Sequence, residues 1–147
     1  MGLVGGREDV ERLGWLGLAV VGGISPRRAR AAAAAAGGPV ELLSAKAHLL
    51  SSLRVPPEAT AGFADALERA AAERERVEAI GGTVLAWSDA AYPARLREIA
   101  EPPLALFLRG QLTDDQPAVA MVGSRRASGY GRRIAAELAE GLAAAGV

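Results

Sequence analysis

The stretch AVAMVGSRRASGYGRRIAAELAEGLAAAGV, Ala118 to Val147, decides the fold. It reads as a buried strand (Val119, Ala120, Met121, Val122), then a turn holding Gly123, Ser124, Arg125 and Arg126, then an amphipathic helix entered near Ser128. Ile134, Leu138 and Leu142 recur at the spacing of one helix face, flanked by Ala135 and Ala145. A hydrophobic strand feeding a glycine turn and a helix is the opening unit of a nucleotide- or phosphate-binding α/β sheet.

The chemistry of the turn follows from its atoms. Gly123 lets backbone approach a ligand with no Cβ in the way, and a helix beginning just after it presents free N–H groups at its positive end. Ser128 supplies an N-cap hydroxyl. Arg125, Arg126, Arg132 and Arg133 fall in a run without an acid, although helix N-termini ordinarily favour Asp or Glu. Such a cluster is locally unfavourable unless an anion neutralises it. A solvated basic face is the bland alternative; an anion site accounts for more of the pattern.

Working outward, the residues before the turn carry a second motif. In AWSDAAYPARLREIAEPPLALFLRG the marked positions are Tyr92, Pro93, Leu96, Pro102, Pro103, Arg109 and Gly110. Together with VGSRRASGYG and a helix ending in AAAGV, they resemble the DNA-processing protein A family (DprA, also called Smf). That resemblance implies an α/β fold in which an N-terminal helical domain, helix-hairpin-helix or SAM-like, precedes a Rossmann-like domain with a parallel sheet. It also implies single-stranded-DNA binding without enzymatic activity, protection of incoming DNA during natural transformation, help in loading the RecA recombinase, and a homodimer in the full-length form. By motif position, Gly123, Ser124 and Arg125 are the phosphate-contacting turn, with Arg125 foremost. Ser128, Tyr130 and Gly131 match the same motif, and Arg126 stands where a basic residue is usual. No catalytic residue, metal or cofactor is implied.

Composition sets outer limits. The chain of 147 residues is half apolar, poor in aromatic residues and rich in alanine, so a core leans on small side chains with Leu and Val. Seventeen basic residues balance seventeen acidic ones, and all but one of the basic residues are arginine. Net charge therefore points to no nucleic acid; only local clustering does. The absence of cysteine excludes disulfides and thiolate metal sites. The apolar stretch Leu13 to Ile24 is too short for a bilayer span, which needs about 20 residues. Glu8, Asp9 and Glu11 stand where a signal peptide carries positive charge. A cytoplasmic location is the default expectation.

Toward the N-terminus, Glu8 to Val21 reads as a helix ended by Gly22-Gly23, and Pro26 opens a second that runs through the alanine block to Ala36. Gly23 to Ala29 has the pattern of a helix-hairpin-helix turn, with Ser25 where a second glycine is normal. Arg27 and Arg28 are its candidate secondary DNA contacts; a purely structural helical domain is the alternative. Val40 to Ala47 suggests a short helix and Glu58 to Ile80 a longer one, with Glu73, Arg74, Glu75, Arg76 and Glu78 as a solvated face. His48, the single histidine, has no Cys, Asp or Ser arrangement near it in sequence and is assigned no role. After Gly81-Gly82 the pattern changes to a strand (Thr83 to Trp87), a helix (Pro93 to Ile99), a strand (Ala105 to Arg109) and an acidic loop at Asp114-Asp115. This places a helical domain at 1–80 and an incomplete Rossmann-like domain at 81–147. Tyr92 reads as an anchor for the small helix, and Trp87 and Phe107 as core. Val147 would begin a return strand, so a truncated chain is expected.

The rival reading is a Rossmann-like nucleotide phosphoribohydrolase holding a mononucleotide at Gly123. Against it, the first acid after the turn is Glu137, on the body of the helix, and the G-x-G-x-x-G fingerprint is absent. A third reading, a protein-interaction module built on the helical part, also stands.

Overall fold

Helix α1, Arg7–Val21, is buried along its middle at Leu13, Gly14, Trp15, Leu16, Gly17 and Leu18, and the rest of its unit is arranged around it. Two mid-helix glycines, which would weaken an exposed helix, permit close packing here. A Cβ on Gly14 would lie 2.8 Å from Val40 Cγ2, and one on Gly17 3.0 Å from Leu43 Cδ1. The computed structural model describes residues 6–112 and 117–147. They fall into two compact units, 6–112 and 117–147.

In the first unit, α2 (Pro26–Ala36), α3 (Pro39–Leu43), α4 (Ala47–Ser52), α5 (Pro57–Thr60) and α6 (Ala66–Ala79) precede β1 (Gly82–Ala86), α7 (Ala94–Arg97) and β2 (Ala105–Arg109). The turn between α1 and α2 uses Gly22 and Gly23, both near φ +70°, while Ser25 caps α2 by accepting from the Arg28 amide at 3.4 Å. The expected hairpin glycine is thus replaced by a serine N-cap. At the other end of α2, Gly37 adopts a left-handed conformation and donates to the Ala33 carbonyl.

The structure revises several element boundaries. In place of one helix from Val40 to Ala47 there are two, α3 and α4, separated at Ser44–Lys46. The helix expected over Glu58 to Ile80 breaks between Thr60 and Ala66, where Phe63 turns into the core and a Cβ on Gly62 would come within 3.1 Å of Val21 Cγ1. Burial of one aromatic ring and a close backbone approach outweigh continuous helix propensity there. Arg74, read as part of a solvated face, reaches across to Asp9 at 3.0 Å.

The strands pair antiparallel, with Gly82 opposite Arg109 and Ala86 opposite Ala105. The expected parallel sheet does not form among the described residues: Val119 to Val122 carries no strand pairing, and Val122 is 95% exposed. An extended segment becomes a strand only when a neighbour takes its backbone hydrogen bonds, and none does so here. The fold is mixed helix with a small two-stranded sheet.

The first unit has two adjoining apolar clusters. One gathers Trp15, Leu18, Leu42, Val55, Phe63 and Leu104; the other joins Leu13, Leu16, Ala70, Val77 and Val84 under the sheet. Each cluster joins the helical layer before residue 80 to the sheet layer after it, and the break between compact units comes after Leu112. Phe107, expected in the core, is 55% exposed although its cross-strand partner Val84 is buried. Trp87 is half-buried against the first cluster.

Polar contacts tie the layers together. Arg12 of α1 donates to both oxygens of Asp89 at 2.9 and 3.0 Å, and Asp89 Oδ2 also accepts from the Ala86 amide at 2.8 Å. The hydrogen bond to Asp89 is the main cause of a raised Arg12 pKa, against some desolvation. Tyr92 is buried and donates to the Pro103 carbonyl at 2.9 Å, the anchoring role its sequence context implied. Burial pushes the Tyr92 pKa up, opposed by the charges of Arg30 and Arg97.

Candidate nucleic-acid interface

The second unit presents helix α8, Gly129–Ala144, behind the turn at Gly123 to Ala127. Ser128 is its N-cap, extended at φ −66° and ψ 163°, and its Oγ accepts from the Gly131 amide at 3.1 Å. The Ser128 carbonyl accepts from the Arg132 amide at 3.0 Å. Of the first-turn amides, those of Gly129 and Tyr130 remain for a partner outside the helix. Ser124 braces the turn in a similar way, its Oγ accepting from the Arg126 amide at 3.1 Å.

The four arginines diverge. Arg126 and Arg132 line a cleft of about 530 Å³ with Val122, Gly123, Ser124 and Ser128. Arg132 is folded back toward the helix start, its Nη1 donating to the Ala127 carbonyl at 2.9 Å. Arg133 turns along the helix, over the Tyr130 ring at 5.5 Å and with Nε 3.8 Å from Glu137 Oε1. Arg125 is exposed outside the cleft lining, and among the described residues neither it nor Arg126 has a carboxylate partner. The predicted turn residues Gly123, Ser124, Arg126, Ser128 and Gly131 therefore converge on one cleft, while Arg125 and Tyr130 stand outside its lining.

The lining contains no carboxylate. Guanidinium groups and helix-start amides without a nearby acid can hold an anion. They offer no general base at the cleft. Gly123 sharpens this: its φ is not positive, and a Cβ built on it would meet nothing within 4 Å. Neither backbone conformation nor its own packing requires glycine there, whereas close approach of a ligand would.

The other predicted contacts lie in the first unit and are partly engaged. The Arg27 amide donates to Glu101 Oε2 at 2.8 Å, with Arg27 Nε 3.8 Å from Glu101 Oε1. Arg28 Nη2 donates to the Arg54 carbonyl at 2.7 Å. Sequence reasoning had no signal for Glu101, which lies 74 residues from Arg27. His48 is exposed on α4. Asp114 and Asp115 fall outside the described residues. Among the described residues no group of three or more His, Cys, Asp or Glu is placed to hold a metal, and no helix is long and apolar enough to cross a membrane.

With this geometry in place, comparison with known proteins is informative. Residues 83–147 match the family model of DNA recombination-mediator protein A, so the family resemblance drawn from the Tyr92 and Gly123 motifs holds over slightly less than half of the chain. Both motifs lie inside the matched segment. No curated protein and no solved structure matches.

Proposed function

We propose that this chain, whose residues 83–147 match the DNA recombination-mediator protein A family, grips the phosphate backbone of single-stranded DNA at the turn before α8. The observation that carries the reading is the acid-free cleft at a Ser128-capped helix start, with Arg126 and Arg132 in its wall. Backbone amides and guanidinium groups recognise phosphate without reading bases, so binding here is sequence-independent. The role that follows is accessory: the chain covers incoming DNA during natural transformation and presents it to the RecA recombinase, in the cytoplasm and as a homodimer in the full-length form. It performs no chemistry on the strand.

Magnitudes set the scale. At about −0.7 in log–log salt slope per phosphate neutralised on a single strand, four arginines reach only about −2.8. Affinity of this turn by itself is therefore modest. The test is anisotropy of labelled single-stranded DNA at low salt across a salt series. The Arg126→Ala variant is expected to bind several-fold more weakly, with a slope about 0.7 shallower, and Arg125→Ala to show a smaller loss. Curves for both variants that overlay the native one would overturn the assignment. Release of free base from a nucleoside monophosphate would replace it with the hydrolase reading.

A further inference from the structure

A second cleft, of about 560 Å³, lies wholly within the first unit, where α2 meets α1 and the residue after β1. Trp15, Ala33 and Trp87 line it, with Arg27 and Arg30 as its cations and Glu11 as its acid. Glu11 is occupied, since its Oε1 accepts from Trp15 Nε1 at 3.3 Å. Trp15 meets Trp87 edge-on at 5.9 Å, and the Arg30 guanidinium carbon stands 4.9 Å from the Trp87 ring centre.

Two features of this cleft lack an internal explanation. Arg30 has no carboxylate partner among the described residues, although it is half-buried. The indole nitrogen of Trp87 is buried and has no hydrogen-bond acceptor. Natively folded chains rarely leave such a donor unpaired. A guanidinium backed by an aromatic ring is a platform on which nucleobases stack, and flanking arginines take the adjoining phosphates. A purely apolar partner helix would fill the volume but leave the Arg30 charge unanswered.

We infer that this cleft admits one base of a single DNA strand, stacked against Arg30 over Trp87, with a neighbouring phosphate on the exposed guanidinium of Arg27. The strand competes there with Glu101 for Arg27. The inference rests on the single-strand reading above but concerns a different place on the chain.

Trp15 and Trp87 are the only tryptophans, and both line this cleft, so intrinsic fluorescence reports on it directly. The experiment titrates the full chain with a short oligothymidylate and with an abasic strand of equal length, following tryptophan emission and, with labelled strands, anisotropy. The expected result is quenching by oligothymidylate, little by the abasic strand, and a quenching midpoint about tenfold weaker in Arg30→Ala. Arg30→Lys, which keeps charge and stem but loses the plane, separates stacking from charge: its midpoint shifts for oligothymidylate while its abasic binding stays native. Arg126→Ala is expected to lower anisotropy affinity while quenching persists at saturation. Strand binding without quenching, equal quenching by the abasic strand, or native midpoints in both Arg30 variants would overturn the inference and leave the turn untouched. Stronger quenching by an acidic peptide than by the oligonucleotide would overturn it in favour of a protein partner. Quenching that survives Arg126→Ala with unchanged anisotropy would instead sink the turn as the main grip.

Discussion

The two units are built on opposite terms. The first buries Leu16, Leu18 and Leu42 almost completely and crosses its layers with Arg12–Asp89 and Arg74–Asp9. Helix α8 in the second has an apolar face of the same kind, yet buries none of its residues; Leu138 is 56% exposed. An amphipathic helix draws most of its stability from what it packs against rather than from propensity. The contrast separates a scaffold that holds itself together from a helix held by its cap and its own backbone hydrogen bonds.

The largest expected effect bears directly on that contrast. Leu42→Ala, at a fully buried position, is expected to cost about 2–5 kcal/mol, and Leu138→Ala within about 0.5 kcal/mol as a surface change. Thermal or denaturant unfolding of the two variants measures both. Comparable losses would mean that α8 is packed as firmly as the core, and the distinction would fall.

Next is the clamp between layers of the first unit. Asp89→Ala removes the bidentate partner of Arg12 and strips the buried Ala86 residue of its amide acceptor. Leaving a buried N–H unmet costs about 1–3 kcal/mol. Denaturant unfolding should show that loss, and a native midpoint would make the clamp incidental to the scaffold.

The smallest effect sharpens the other side. Ser128→Ala deletes the acceptor for the Gly131 amide, worth about 1 kcal/mol of helix stability. Amide hydrogen exchange is expected to quicken across the first turns of α8 and to stay unchanged in α1. Faster exchange in α1 as well would show that the two units share stability.

Legibility in the sequence followed the range of the interaction. The ends of α1 and α2 were readable because Gly22-Gly23, Pro26 and Gly37 act within a turn of where they stand. Ser128 was readable as a cap for the same reason, and Ala105 to Arg109 as a strand from its short apolar run. Arg126 was visible as charge, but that it shares a cleft with Arg132 while Arg133 leans on Tyr130 depended on side-chain directions around the helix start. The broken helix at Phe63, the exposure of Phe107 and the antiparallel pairing had no local signature.

The amino-acid order determined the local elements, the family resemblance and the acid-free basic turn, since caps, periodicity and charge runs act between near neighbours. Tertiary structure alone decided that Asp89 answers Arg12 across 77 positions, that Glu101 answers Arg27 across 74, and that two tryptophans and Arg30 share one cleft. Contacts at such separations are selected by how whole layers pack and which polar groups burial forces to pair, and no window of sequence contains both partners.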